Sequence, residues 1–205
     1  MKESKLPGIT IAGAISGVLS ILLLHAAGQN SHIIQVQVAV QFLPGVLFGV
    51  ALWMASIFPL GRPLLTSRFR GVLKVLMGLV FVALVTVCYF LAYRTVVLVL
   101  NKAFHSAEAP TLAFCGLLGG GVGSVTFVGV LAMYFPSMAN RTSAVRVVLA
   151  GTTAGLLLFG GAKFGWLGIY FFILAWQIVV ALIIGVADVS SEADPRLRRR
   201  HGRRR

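Results

Sequence analysis

Few residues in this chain could do chemistry, and none has the company that chemistry needs. Ser124 stands in the run Gly121-Val122-Gly123-Ser124, where small neighbours would leave a hydroxyl open to attack a carbonyl. A serine nucleophile needs a base, and neither of the two apolar segments that follow contains a histidine. His25 lies near the end of the first apolar segment, where an interfacial imidazole bonded to a neighbour is the simpler reading than a proton relay. Cys88 and Cys115 sit in separate apolar segments and read as small buried hydrophobes. Paired carboxylates, the HExxH pattern and Cys/His metal spacing do not occur. The residues therefore point to a protein that is not an enzyme and takes no cofactor or metal. A lipid-modifying enzyme is a further alternative, and it requires polar residues converging at one interface.

Charge placement explains this poverty. The five acids are Glu3, Glu108, Asp188, Glu192 and Asp194, so the long apolar stretches hold no carboxylate. The chain is 58% hydrophobic and 11% charged, where a soluble domain is about a quarter charged. These proportions describe a polytopic all-α membrane protein with no room for a separate soluble domain. The absence of intramembrane Asp and Glu argues against cation pumping and carboxylate-based proton coupling.

The apolar stretches predict six transmembrane helices within residues 1–187. The first spans about Gly8–Ala27 and reads as an uncleaved helix, because residues before Ala26 and Ala27 do not suit a signal-peptide cleavage site. The second spans about Val38–Leu60, with Gln35, Gln37 and Gln41 forming its ragged outer start. Pro44 lies inside it and predicts a kink or break. The third starts near Gly71. In it Lys74 and Arg94 stand roughly 30 Å apart along a helix, so both can reach opposite interfaces. Tyr89 and Tyr93 suit the outer aromatic belt. The fourth, Leu112–Tyr134, is uncharged and crowded with glycine, a pattern that lets a neighbouring helix come close in lipid. The fifth is short, about Val147–Ala162, and interrupted by glycine, and the sixth runs about Phe164–Ala187. Residues 188–205 read as a basic, disordered cytoplasmic tail.

Orientation follows from Lys and Arg. With the N-terminus inside, 15 of the 18 basic residues fall on the inner side, while Arg94, Lys102 and Lys163 fall outside. Both termini are then cytoplasmic, in a cell's inner membrane. The tail arginines Arg196, Arg198, Arg199, Arg200, Arg203, Arg204 and Arg205 match anionic lipid beside a final helix. No aromatic residue interleaves with them, so nucleic acid is not the expected partner. Lipid phosphate is the simplest partner for Arg94.

A shift of 106 residues carries Gly13 and Gly17 onto Gly119 and Gly123, and Gly45 and Gly49 onto Gly151 and Gly155. This predicts two three-helix halves, residues 8–100 and 111–187, of opposite orientation, an architecture found in transporters. In that architecture paired interrupted helices form the substrate site. Pro44, Gly45 and Gly49 in helix 2 pair with Gly151, Thr152, Thr153 and Gly155 in helix 5, and Gln177 joins them from helix 6. Gly13, Gly17, Gly116, Gly119, Gly120 and Gly123 are assigned to helix packing. The leading expectation is a permease-like protein moving a small neutral or anionic solute, or lipid, through a glycine-lined site. The rival is an accessory or assembly subunit whose glycine faces dock on a larger membrane complex or on another copy.

Overall fold

The computed structural model describes residues 6–30, 33–55, 71–103, 108–134 and 140–193. Its described residues are almost wholly helical: α1 Leu6–Asn30, α2 Ile33–Ala55, α3 Gly71–Ala103, α4 Ala109–Tyr134, α5 Arg141–Gly155, α6 Phe159–Phe164 and α7 Trp166–Ala193. A single 3₁₀ turn, Leu156–Leu158, joins α5 to α6. Helix is the element that satisfies every backbone group within one segment, which is what an apolar solvent demands. Four of these helices are long and apolar enough to cross a membrane, over Gly8–Ala26, Val75–Lys102, Ala109–Tyr134 and Leu167–Val186; Gln41–Ala55 is a shorter apolar stretch. The fold is that of a helical membrane protein.

The helices form a closed ring. Each of α1 to α4 packs on the next, and α7 packs on both α5 and α1. One end of the interior is filled by aromatic rings. Phe81 meets Tyr134 with ring centroids 4.8 Å apart, Trp53 lies against both, and the Tyr134 hydroxyl donates to the Met77 carbonyl at 3.4 Å. Nearer the middle, Phe48 and Trp176 meet edge to face at 5.5 Å, and Phe127 closes the group at 5.8 Å and 6.3 Å. Offset and edge-to-face pairs of this kind add about 0.5–1.5 kcal/mol each beyond the area they bury.

Several boundaries differ from the sequence reading. Helix α2 starts at Ile33, so Gln35, Gln37 and Gln41 are helical, and it runs unbroken through Pro44. Proline leaves the carbonyl one turn earlier without its usual donor, but flanking contacts described below hold the helix on course. The apolar run from Thr95 belongs to α3, which extends for 33 residues. Helix α5 begins at Arg141, ahead of the expected Val147, because Asn140 caps it: the Asn140 side chain accepts from the Thr142 N–H at 3.1 Å. The expected interruption of the fifth segment takes the form of the 3₁₀ turn after Gly155 and a stop at Gly165, whose φ of 57° suits a residue without Cβ. Helix α7 continues to Ala193, so Asp188–Ala193, read as the start of the tail, are helical. The tail arginines lie outside the described residues.

Candidate functional site

The glycines expected to line a substrate site are spent on helix contacts. A Cβ added at Gly45 would lie 2.9 Å from Thr86 Cα and 2.9 Å from Tyr89 Cβ, and one at Gly49 would lie 3.1 Å from Val82 Cα. Both therefore bring α2 against the backbone of α3. Gly151 and Gly155 bring α5 against α4: a Cβ at Gly151 would meet the Ser124 hydroxyl, and one at Gly155 would meet the Gly116 carbonyl. Leucine at Gly45 or Gly151 would separate helices before it blocked any ligand. Thr152 lies beside Gly121, while Thr153 is exposed and donates to its own helix at the Leu149 and Ala150 carbonyls. The two groups of residues thus sit on separate seams, one on α2–α3 and one on α4–α5, and are not brought together.

The other glycines of the pairs also lie against neighbouring helices. Gly13 and Gly17 receive Ala181, Leu174 and the Gln177 backbone from α7. Gly116 and Gly120 face Gly155 and Gly151, and Gly119 and Gly123 face Ala92 and Val96 of α3. Gly129, by contrast, has nothing within 4 Å of an added Cβ. Ser124 is fully buried against Gly151, and its hydroxyl has no hydrogen-bond partner among the described residues.

Gln177 is 1% exposed and ties three helices. Its Oε1 accepts from the Ser16 hydroxyl at 2.5 Å, and its Nε2 donates to Ser20 Oγ at 3.4 Å and to the Pro44 carbonyl at 3.3 Å. Ser16 and Ser20 also donate to the carbonyls of Gly13 and Ser16 in their own helix. Both ends of the amide are satisfied by protein, so Gln177 acts as a bond across helices. It supports α2 at the very proline where a break was expected.

The open space in the ring lies elsewhere. A cavity of about 310 Å³ occupies the ring interior toward the end that carries the α3–α4 connection. Tyr89, Ala92, Tyr93 and Val96 of α3 form one wall, and Ile169, Phe172, Ile173 and Trp176 of α7 form another. Gly116, Gly119, Gly120 and Gly123 of α4 form a third, with Leu112 and Leu158 above them. Among the described residues, none that lines it is charged. Trp176, held by Phe48 and Phe127, closes the floor, and Tyr89 meets Trp176 across the space with ring centroids 6.5 Å apart. The α4 glycines thus serve twice, as contacts to α3 and α5 and as a smooth wall between those contacts.

Tyr89 and Tyr93, which suit the outer aromatic belt by sequence, both line this chamber. Their i, i+4 spacing, continued by Ala92 and Val96 on adjoining positions, was the available signal, but it does not say which way the face points. Other expected sites fall outside the chamber. His25 stands edge-on to Tyr170 at 6.2 Å. The Arg94 guanidinium lies 5.9 Å over Phe90, which stacks on Phe42 at 5.1 Å. Comparison with protein-family models, with curated proteins and with solved structures finds no match to this chain.

Proposed function

We propose that this chain is a six-span protein of a cell's inner membrane, with both termini cytoplasmic, that takes a small uncharged molecule or a lipid into the glycine-walled chamber in the manner of a permease. One observation carries this reading: a space of about 310 Å³ inside the helix ring, uncharged in its lining and floored by Trp176 against Phe48 and Phe127. That volume is at the lower end of cavities that hold small molecules. The uncharged lining favours the neutral and lipid branches of the solute classes over the anionic one. The distribution of Lys and Arg supports the orientation, which turns the aromatic floor of the chamber toward the cytoplasm.

The inverted repeat belongs to the same proposal. In its favour, Gly13 and Gly17 lie on the α1–α7 seam and Gly119 and Gly123 on the α3–α4 seam, and exchanging the two halves exchanges these seams. The second pair does not follow, because Gly45 and Gly49 meet α3 while Gly151 and Gly155 meet α4.

The test uses the purified protein in liposomes that contain a lipid with a fluorescent headgroup. Transbilayer movement is read as exposure of inner-leaflet label to an impermeant reductant. Wild type is expected to speed that movement, and Ile173→Trp, which fills the chamber from α7, is expected to abolish it with the helical content retained. Movement that survives the filled chamber would remove the site. No movement from either protein, with a second membrane protein co-purifying from native membranes, would favour the accessory-subunit role.

A further inference from the structure

The chamber has two polar groups that the fold does not use. Tyr89 and Tyr93 stand one turn apart on α3 and both line the space. Neither hydroxyl hydrogen-bonds another described residue. Both side chains are half-buried, so their O–H groups are open to a ligand in the chamber, and a tyrosine at an apolar surface gains from a partner for its O–H. Around the pair the lining is aliphatic, aromatic and glycine. The position of Tyr89 is set by its Cβ and Cγ, which rest against Gly45, so its hydroxyl contributes nothing to that seam.

Building on the permease-like reading of the chamber, we infer that its ligand is an uncharged amphiphile: an apolar chain with one hydroxyl or carbonyl oxygen that accepts from Tyr89 and Tyr93. The chain lies against the glycine wall of α4, with Phe172, Ile173 and Trp176 opposite. A charged headgroup is disfavoured because no described lining side chain can neutralise it, and an isolated charge in apolar surroundings is costly. A plain hydrocarbon leaves both hydroxyls unmet. A lipid chain carrying a single neutral oxygen meets both conditions.

The experiment is photolabelling of the intact protein in liposomes with a long-chain alcohol bearing an alkyl diazirine. Crosslinks are mapped to the chamber peptides of α3, α4 and α7. Labelling there is expected to saturate, unlike labelling of lipid-facing positions. An unlabelled long-chain alcohol is expected to compete at roughly three- to ten-fold lower concentration than the alkane of equal length, the range of one or more neutral hydrogen bonds. The Tyr89→Phe/Tyr93→Phe double variant is expected to keep saturable labelling and lose the alcohol's advantage, and Tyr93→Phe alone to lose part of it. Equal competition by alcohol and alkane in wild type, with labelling still saturable, would overturn the ligand class and leave the chamber standing. Alcohol preference that survives the double variant would overturn the role of the tyrosines. Labelling that never saturates would overturn the inference together with the chamber on which it rests.

Discussion

Two seams of this ring are built on opposite principles. Where α1, α2 and α7 meet, side chains with polar atoms do the joining: Gln177 reaches Ser16, Ser20 and the Pro44 carbonyl in a buried network. Where α4 meets α5, there are almost no side chains at all. Gly116 faces Gly155 and Gly120 faces Gly151, so backbone lies on backbone. In lipid no hydrophobic drive pulls helices together, so association depends on close packing and on hydrogen bonds between helices. The first seam adds hydrogen bonds to the close packing of Gly13 and Gly17, while the second rests on glycine contacts. The difference teaches where tolerance lies. A hydrogen-bonded seam can lose a partner and fall back on bonds within its own helix, whereas a backbone seam has nothing flexible to yield.

That contrast sets an order of expected effects. The largest is Gly116→Leu, with Gly155→Leu as its reciprocal. Each side chain would enter the carbonyl of the opposing glycine, and overpacking of this kind costs about 3 kcal/mol or more where backbone must move. Thermal unfolding in detergent, followed by circular dichroism, should show little folded protein at temperatures where wild type is intact. Gln177→Leu comes next. Hydrogen bonds between membrane helices are worth about 0.6 kcal/mol on average and up to about 1.7, and Ser16 and Ser20 keep their bonds to Gly13 and Ser16 carbonyls. A loss of about 1–2 kcal/mol is expected in the same measurement. Should Gln177→Leu prove more damaging than Gly116→Leu, the proposed ordering of the two seams is wrong. The smallest effect compares two glycines of one helix. Gly129→Ala adds a methyl group to open space and should be neutral or stabilising by up to about 1 kcal/mol through helix propensity. Gly120→Ala puts the same methyl group 2.5 Å from the Gly151 carbonyl oxygen and should destabilise. Equal behaviour of the pair would mean that glycine in α4 serves conformation and not contact.

Much of the helical architecture is legible without coordinates. Long uncharged runs between clusters of Lys and Arg mark where the helices lie, and Asn140 and Gly165 mark ends that the local chemistry dictates. The glycine pairs at Gly13 and Gly17, and at Gly119 and Gly123, stand where neighbouring helices come close. The candidate site was far less legible. Pro44, Gly45, Gly151 and Gly155 look like parts of a binding site because interrupted helices often are, yet each has a structural partner. Trp176, Tyr89 and Tyr93, which line the chamber, carry no motif.

The sequence by itself determined that the chain is helical, that its apolar runs hold no carboxylate, and that glycine leaves room for helices to come close at several positions. Only the tertiary structure decided which helix answers each glycine, that Gln177 braces α2 at its proline, and that Tyr89 and Tyr93 turn inward to an open chamber. The reason is the solvent. In water an apolar stripe on a helix points to the core, but a helix in lipid is apolar on every side, so hydrophobicity no longer distinguishes inside from outside. Direction is then set by the fit of one helix surface to another, and that fit exists only once all the helices stand together.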